Sequence, residues 1–496
     1  MTSYFEAMPS NIEATSAGFL SRLARDMPPI VSRLRWILMT AEHASAPAPR
    51  TSPAPGTLVV RTVAIDALPG GPTALVDLLP DAHPLAWVRR GDGIVGWGEV
   101  ARIESWGPGR FADADAAWRA VLRRAVVRDE VHLPGTGAVA FGSFAFDDAG
   151  PGAADDAGTD GPDVADDGRP DGVLVVPRVV VGRRGGTTWM TTFETSGSLA
   201  SPPGAHVLPR PAPVTSPGRV VLRDGSVAAQ DWKDLVAEAA RRIRAGHLDK
   251  VVLARDAVAT TEHPVDPRYL LGRLAASYEA CWTFSVDGMV GATPELLVRS
   301  EKGLVTSRVL AGTIRREPGA GAPHDPALFL AQSSKDLEEH EYAVRSVADA
   351  LAPSCSSMNV PEAPFVLHLP NVLHLASDVT GVLASPEDGP APTSLGLAAA
   401  LHPSAAVCGT PTADARALIR EIEGLDRARY AAPVGWLGAD GDGEWGIALR
   451  SCEILPSDPL AVRLFAGCGI VGASDPDAEL AESEAKLEPI TGALGL

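Results

Sequence analysis

The sequence predicts an α+β fold, with antiparallel sheets and helices on the outside. Strand-like runs of alternating apolar residues and amphipathic helical stretches are intermixed along the chain. They do not follow the regular strand–helix alternation that builds a doubly wound parallel sheet. No repeat with a period of roughly 20–50 residues is visible, so a solenoid or propeller is not predicted.

The bulk composition indicates a soluble globular protein with ample core. The chain has 496 residues, of which 45% are hydrophobic, and a formal net charge of −19. This acidity argues against a nucleic-acid or anionic-membrane partner. Five cysteines without a Cys-x-x-Cys pair predict reduced thiols in a cytoplasm-like compartment. No apolar run approaches the roughly 20 residues of a membrane helix.

Two segments are predicted to lie outside the packed core. Residues 1–56 read as a flexible N-terminal extension, since 42–56 are rich in Ala, Pro and Ser and the first 38 residues lack the apolar core of a targeting peptide. Residues 146–172 hold nine Asp among Gly, Ala and Pro, which predicts a disordered acidic insertion. Residues 57–496 are then expected to form the functional domain.

The first half of that domain is predicted to be rich in strands, and the second half to mix strands and helices. Apolar runs recur between Leu58 and Val131, and Gly172–Val181 contains four consecutive apolar residues typical of a strand buried on both faces. Apolar residues within Trp232–Ile243 lie at helical spacing, and Gly246 is a natural terminator. The strand Lys250–Asp256 follows.

Lys250 and Glu295 are candidates for a base and an acid. Strand alternation places Lys250, Val252 and Ala254 on one face. A lysine among small apolar neighbours loses solvation, which favours the neutral form that can accept a proton. Glu295 follows Pro294 at the start of a predicted strand, where partial burial would suit proton donation. Taken alone, each also fits a solvated polar residue at a strand end.

The C-terminal helix has the sharpest geometry. Ser474 or Asp475 caps it, and Glu479, Glu482 and Lys486 follow at i, i+3 and i+7, so all three project from one face. Two carboxylates one turn apart suit a hard cation such as Mg²⁺. A solvated charged face is the alternative interpretation of this segment.

A second helix and one arginine add further candidates. In the predicted helix Lys335–Leu351, Glu339 lies at one edge of the apolar stripe and Glu341 at the other, and periodicity does not choose between them as a metal ligand. His340 lacks the second histidine of a zinc-protease motif, so zinc is not favoured. Arg450 ends an apolar segment read as a strand, where it would either bind a carboxylate bidentately or form a structural salt bridge.

Taken together and in this order, these segments resemble the chorismate-utilising enzyme family. The resemblance runs from about Trp232 to Leu487 and includes the small-residue segments Leu310–Thr313 and Gly467–Gly469. It implies a single large α+β domain of two stacked antiparallel sheets with peripheral helices, and a monomer. The catalytic half would span about 230–490.

The resemblance also implies a role for each residue. Lys250 would activate water and Glu295 would protonate the departing 4-hydroxyl of chorismate. Glu339 and Glu482 would bind Mg²⁺, with Glu479 close by. Arg450 and Tyr430 would hold the pyruvyl carboxylate, and Mg²⁺ the ring carboxylate. The full set of implied substrate contacts is Gly312, Thr313, His374, Ala406, Tyr430, Arg450, Gly467, Gly469 and Lys486.

Three positions separate the activities within the family. Anthranilate synthase has glutamine at the position of Lys250, aminodeoxychorismate synthase has lysine at that of Ala311, and salicylate synthases tend to have threonine at that of Ala406. Arg429–Trp436 also resembles isochorismate synthases of menaquinone pathways. We therefore expect an isochorismate synthase, in a menaquinone or a siderophore pathway. A salicylate synthase and a non-catalytic chorismate-binding protein remain alternatives.

Overall fold

The computed structural model describes residues 49–496, except 53–55, 67, 69–70, 72, 82, 148–168, 197–212, 316–333, 386–390 and 456. Nearly all of the predicted N-terminal extension and most of the predicted acidic insertion therefore lie outside the described residues. Ala48–Leu496 forms one compact unit. Among the described helices, none has the length and apolar character needed to cross a membrane.

Two large sheets dominate this unit. The first has eleven described strands, and β18 pairs with β19 beside the main path. In spatial order they are β1 (Arg50–Ser52), β5 (Ala101–Ser105), β8 (Gly172–Val176), β7 (Val139–Phe144), β21 (Pro433–Gly438), β22 (Gly443–Ile447), β15 (Leu296–Glu301), β16 (Leu304–Arg315), β19 (Val372–Leu383), β17 (Cys355–Asn359) and β18 (Phe365–His368).

The second sheet has thirteen described strands, and its short β20 pairs with β12. In spatial order they are β11 (Val220–Asp224), β12 (Lys250–Thr261), β24 (Ala461–Ile470), β23 (Ser451–Ile454), β14 (Met289–Thr293), β13 (Trp282–Val286), β3 (Leu85–Arg89), β4 (Asp92–Trp97), β9 (Val179–Arg184), β10 (Thr187–Thr195), β2 (Leu58–Ala64), β6 (Val126–Asp129) and β20 (Gly409–Thr410).

Seven described α-helices accompany the sheets, and two short 3-10 turns lie at Val76–Leu78 and Ala352–Ser354. The helices are α1 (Arg110–Leu122), α2 (Ala229–Arg244), α3 (Pro267–Ser277), α4 (Ser334–Leu351), α5 (Ser394–Leu401), α6 (Thr412–Ile422) and α7 (Pro476–Leu494).

Apolar side chains from both sheets form one continuous buried cluster. Trp87 and Phe284 come from the second sheet, and Phe141 and Trp445 come from the first. Each of these aromatic side chains is at most 2% exposed. Burial of this much apolar surface is the main term that holds the two sheets together. The predicted α+β fold of two antiparallel sheets is confirmed, with one parallel pair, β2 and β6.

Two local predictions are confirmed, and one helix was not predicted. The predicted helix after Trp232 is α2, and Gly246 follows it with a φ of 80°. The predicted strand buried on both faces at Val173–Val176 is β8, whose residues are all buried. After Pro177 the chain enters β9, which belongs to the other sheet. Helix α1 was not predicted, although its buried side chains Phe111, Ala114, Trp118 and Val121 recur at helical spacing.

Candidate active site

A cleft opens between the ends of several central strands in the catalytic half. Strands β12 and β24 form one wall through Val252 and its register partner Gly469. The start of β15 and the bulge of β16 supply a second wall, with Glu295 and Gly312. The lining residues are Val252, Pro294, Glu295, Leu310, Ala311, Gly312, His374, Ala406, Val407, Arg427, Tyr430, Ala431, Leu449, Arg450, Gly467, Gly469 and Lys486.

Lys250 is fully buried at the first position of β12. Its side chain is 0% exposed, so the alternative of a strand-end lysine that reaches water is wrong. The short strand β20 pairs with it through Thr410, whose carbonyl accepts a hydrogen bond from Asp249 N at 2.8 Å. Strand alternation puts Lys250 on the same face as Val252, which lines the cleft.

Glu295 is a buried acid that can donate a proton at neutral pH. Its side chain is 4% exposed, and burial raises its pKa to about 7. The backbone N–H of Leu310, which donates to Glu295 Oε1 at 3.4 Å, and the positive charge of Lys250 oppose this shift. A carboxyl group with a pKa near the working pH is suited to general acid catalysis. The prediction of a glutamate directly before a strand is confirmed, since β15 begins at Leu296.

Arg450 is held in the cleft by His374. Arg450 Nη2 lies 3.0 Å from His374 Nε2, and His374 Nδ1 lies 3.4 Å from the carbonyl oxygen of Gly312. A carbonyl only accepts, so Nδ1 carries the proton and Nε2 accepts from Arg450. Burial, with the charges of Arg450 and Lys486, holds the pKa of His374 well below its ordinary value, so the ring is neutral.

The backbone at Arg450 differs from the sequence prediction. Strand β22 ends at Ile447, so Arg450 is not a strand residue as predicted. It lies in the following loop with a φ of 48°, a conformation that residues with a side chain seldom adopt. The sequence offers no glycine or asparagine signal for this turn. Its side chain is nevertheless 6% exposed and lines the cleft.

The predicted charged face of α7 points at the site. Asp475 is the N-cap and accepts from Ala478 N at 2.9 Å. Glu479 is 4% exposed, so the alternative of a wholly solvated face is wrong for it. Glu482 Oε1 pairs with Lys486 Nζ at 2.5 Å, and Lys486 Nζ donates to the Gly467 carbonyl at 2.9 Å.

This face also offers donor atoms for a metal ion. One carboxylate oxygen each from Glu479 and Glu482 and the sulfur of Cys468 lie within 4.8 Å of one another. Burial raises the pKa of the Cys468 thiol well above its ordinary value, and the thiol donates to the Glu479 carbonyl at 3.3 Å. A hard cation prefers oxygen donors to a thiol, so the donors that suit it here are the carboxylate oxygens. Such a donor set fits a hard cation such as Mg²⁺.

Helix α4 carries Glu339 and Glu341, the two candidate metal ligands between which helical periodicity did not choose. Glu341 is 67% exposed in its side chain and pairs with Arg345, so it does not face the site. His340 is buried and its Nε2 lies 2.8 Å from Ser377 Oγ of β19. The side chain of Glu339 lies outside the described part of the structure, and its role as a ligand remains a prediction. The same holds for Thr313, whose backbone pairs with His374.

Tyr430 and the glycines of β24 shape the rest of the cleft. Tyr430 is 4% exposed and stacks on Phe465 with ring centroids 5.1 Å apart. Burial raises its pKa to about 12, so the phenol stays protonated as a donor. A Cβ on Gly467 would lie 3.3 Å from the Tyr430 hydroxyl and 3.1 Å from the Leu253 carbonyl. Glycine there keeps this side of the cleft open. Ala406, also predicted, lines the same cleft.

Sequence reasoning missed Arg427, which also lines the cleft. It is 3% exposed and pairs with Glu423, with Arg427 Nε 2.6 Å from Glu423 Oε1. Arg427 also donates to the carbonyls of Val252 at 2.7 Å and Val407 at 3.0 Å, and Glu423 accepts from Ala254 N at 2.8 Å. The pair therefore ties the strand that carries Lys250 to the loop beside the cleft. An i, i+4 Glu–Arg pair was its only sequence signal.

Comparisons with known proteins place the chain in one family. The model of the family described as "Chorismate binding enzyme" matches residues 85–495. Isochorismate synthase DhbC from Bacillus subtilis is 38% identical over 278 residues, covering 54% of this chain and 68% of that protein. Isochorismate synthase EntC from Escherichia coli is 35% identical over 282 residues, covering 56% of this chain and 70% of that protein.

Solved structures agree in fold. DhbC from Bacillus anthracis aligns with a TM-score of 0.66 and 28% identity, covering 86% of this chain and 100% of that chain. MenF, the menaquinone-specific isochorismate synthase from Escherichia coli, aligns with a TM-score of 0.67 and 24% identity. The alignment covers 94% of this chain and 99% of that chain. The chain therefore belongs to the chorismate-binding enzyme family and has its fold of two large sheets.

Proposed function

We propose that this chain is an isochorismate synthase. It converts chorismate reversibly to isochorismate by adding water at C2 while the hydroxyl at C4 leaves. The observation that carries the proposal is the buried Glu295 in the cleft, with its pKa raised to about 7, together with the fully buried Lys250 on the strand face that Val252 presents to the cleft. A base and an acid in one desolvated site match a reaction that needs one proton removed and another delivered.

The two residues act on opposite parts of the ring. Lys250 accepts a proton from the attacking water, whose oxygen forms the new bond at C2. The ring double bonds shift, the C4–O bond breaks, and protonated Glu295 gives its proton to the departing hydroxyl, which leaves as water. Lys250 ends protonated and Glu295 ionised. In the reverse reaction the two residues exchange roles, as microscopic reversibility requires.

The substrate's carboxylates need positive partners in an acidic protein. Arg450, fixed by neutral His374, and the protonated phenol of Tyr430 supply donors for the pyruvyl carboxylate. Although burial opposes its charge, Glu482 raises the pKa of Lys486 above its ordinary value, so Lys486 adds a permanent positive charge. These groups orient chorismate before any bond changes.

We propose Mg²⁺ as the cofactor, held by Glu479 and Glu482 together with Glu339. The carboxylate oxygens of Glu479 and Glu482 lie close enough to share one ion, which supports this assignment. When bound, Mg²⁺ would neutralise the charge of the ring carboxylate and fix its position. We also expect the protein to act as a monomer in the cytoplasm.

The direct test is product analysis after incubation with chorismate, with and without Mg²⁺. Isochorismate formed only with Mg²⁺ is the expected result, and chromatography separates it from salicylate. Salicylate and pyruvate as the main products would instead identify a salicylate synthase. Chorismate binding without any turnover would identify a non-catalytic binding protein. Either outcome contradicts the proposal.

A further inference from the structure

Phe146 lies shortly after the end of β7 and touches both of the loops that shape the active-site cleft. The first loop, residues 402–408, connects α5 to β20 and brings Ala406 to the cleft. The second loop, residues 423–432, connects α6 to β21 and brings Tyr430 to the cleft. Phe146 is 2% exposed and is not among the described residues that line the cleft. Any effect of Phe146 on a bound substrate therefore passes through the two loops.

The 423–432 loop depends on contacts from outside itself. Ala428 and Ala431 have φ angles of 46° and 60°, which residues with a Cβ atom seldom adopt. Such a conformation persists only where the surrounding structure holds it. The backbone N–H of Phe146 donates to the carbonyl oxygen of Ala428 at 2.8 Å. The N–H of Ala431 donates to the Ala448 carbonyl at 3.0 Å. Phe146 is therefore one of the anchors that hold this loop.

The ring of Phe146 also covers the guanidinium of Arg427. The guanidinium carbon lies 4.2 Å from the ring centroid. A cation over an aromatic face is attracted by the ring quadrupole, and more strongly when water is excluded. The same guanidinium donates to the carbonyl oxygen of Val407 at 3.0 Å. Arg427 thus joins the 423–432 loop to the 402–408 loop, and Phe146 holds Arg427 in place.

His402, the first residue of the 402–408 loop, binds Phe146 directly. His402 Nε2 lies 2.9 Å from the carbonyl oxygen of Phe146. A carbonyl only accepts, so Nε2 carries the proton. The two rings also pack edge to face, with centroids 5.7 Å apart and an interplanar angle of 87°. Burial lowers the pKa of His402 to about 3, so the ring is neutral at ordinary pH. The contacts therefore form a closed circuit that runs from Phe146 through His402 and Arg427 and returns to Phe146.

Asp147 attaches this circuit to the helix that lies between the two loops in the chain. Two arginines of α6 donate to its carboxylate, with Arg416 Nε 3.1 Å from Oδ1 and Arg420 Nε 2.6 Å from Oδ2. The Asp147 side chain is only 30% exposed, so water screens these charge-assisted hydrogen bonds incompletely. The backbone that carries Phe146 is thereby fixed to α6 as well as to both loops.

We propose that Phe146 is a positioning residue, which sets the spacing of the two loops and thereby the affinity of the cleft for chorismate. The inference rests on the proposed function for the identity of the ligand. Lys250 and Glu295 lie outside both loops, so loss of the Phe146 ring should weaken substrate binding and leave the proton transfers largely intact. A purely structural role would instead lower the melting temperature and leave the substrate affinity unchanged.

Phe146→Leu tests the proposal, because it removes the ring and keeps an apolar side chain. Titration calorimetry of the full chain with Mg²⁺, in a Lys250→Ala background, measures chorismate binding without turnover. We expect the Kd to rise by about tenfold. In the enzyme that retains Lys250, KM should rise by a similar factor while kcat changes less than about threefold. An unchanged Kd, or a fall in kcat with KM unchanged, would overturn the proposal.

Phe111→Leu is the matched control. The Phe111 ring also packs on His402, with centroids 5.8 Å apart, and the residue is 8% exposed. Among the described residues, its aromatic and cationic partners lie outside the 423–432 loop. Phe111→Leu should lower the melting temperature as Phe146→Leu does, with a change in Kd of less than about twofold. An equal rise in Kd in both variants would assign the effect to a loosened core and refute the proposal.

Asp147→Asn provides a second test at a partly exposed position, and it decides the matter if Phe146→Leu does not fold. The amide keeps the shape of the side chain but loses the charge that binds α6, so the Kd should rise by about threefold. An unchanged Kd would again overturn the proposal. If the wild type forms salicylate or no product, the proposed function fails, whereas the measured affinities still decide the role of Phe146.

Discussion

The active-site cleft differs from the cavity lined by Trp87, Trp282 and Trp436 in how far its charged groups are buried. In the cleft the ionisable groups are almost completely buried, and Glu295 has a pKa displaced from its ordinary value for that reason. In the cavity the side chains of Arg184 and Arg299 are about one-third exposed, at 35% and 36%. The difference shows that charged groups of the cleft are largely removed from water, a setting in which a carboxyl pKa can be moved towards neutral pH.

Because the polar groups of the cleft are buried, replacing one of them should lower activity strongly. Lys250→Ala removes the proposed base, so we expect kcat to fall by about 10³-fold while chorismate binding changes little. Steady-state kinetics and titration calorimetry measure the two quantities. Lys302→Ala, at an exposed turn lysine, is the matched control and should retain full activity. Unchanged turnover in Lys250→Ala would remove Lys250 as the base.

The buried Glu423–Arg427 pair should be far more sensitive than a surface pair. Arg427→Met leaves the Glu423 carboxylate buried and unpaired, which should cost about 3–5 kcal/mol of unfolding free energy. Removing Arg241, which pairs with Glu238 at an exposed position, should lower the unfolding free energy far less, because water screens such a pair.

Denaturant unfolding of the two variants supplies this comparison. If both substitutions lower the unfolding free energy equally, the Glu423–Arg427 pair is not a structural element of the cleft. Glu423→Gln can be assayed at temperatures where the protein remains folded. A loss of kcat under those conditions would show that the pair also positions the strand that carries Lys250.

Burial of Glu295 predicts a pH dependence of stability. Its pKa rises from 4.5 to about 7 on folding, so the folded state favours the protonated form. This contribution is fully present below about pH 4.5 and is lost as pH rises through about 7. A shift of this size corresponds to about 3 kcal/mol.

Glu295→Gln, which is neutral at every pH, should therefore be more stable than the wild type at pH 8, with the difference shrinking towards pH 5. Thermal melts over this range measure the effect. A constant difference between the two proteins would show that Glu295 does not titrate from a buried, protonated state. The same titration predicts that the forward reaction slows above about pH 7, as the acid loses its proton.

The metal site should give the smallest of these effects. Glu482→Gln keeps the shape of the side chain but removes a charged oxygen ligand, so we expect Mg²⁺ affinity to fall by about tenfold. Glu484→Gln, on an exposed face of the same helix, is the control and should leave it unchanged. Mg²⁺ titration of activity gives both values. Equal sensitivity of the two variants would argue that α7 does not bind the ion.

The sequence was most informative where local pattern and chemistry coincide. Strand alternation at Lys250, the proline before Glu295 and the i, i+3, i+7 spacing on α7 each depend on a few adjacent residues, and each matches the structure. The N-cap at Asp475 belongs to the same class. Such features are set by backbone geometry over one or two turns, so a single sequence contains them.

Features that depend on distant segments were not predictable in this way. Arg450 has a positive φ, and its side chain contacts His374, which is 76 residues away. The hydrogen bonds of Arg427 to Glu423, Val252 and Val407 require knowledge of which strands and loops become neighbours. Trp87 and Glu444, 357 residues apart, share a hydrogen bond that no local pattern indicates.

Isotope labelling tests the central claim most directly. The enzyme, supplied with Mg²⁺, would convert chorismate in water enriched in ¹⁸O, and mass spectrometry would locate the label in the product. If Lys250 activates water for attack at C2, isochorismate should carry one ¹⁸O atom at C2, and the Lys250→Ala variant should form almost none. Product without the label, or labelled product at an undiminished rate in Lys250→Ala, would contradict the assignment of this site.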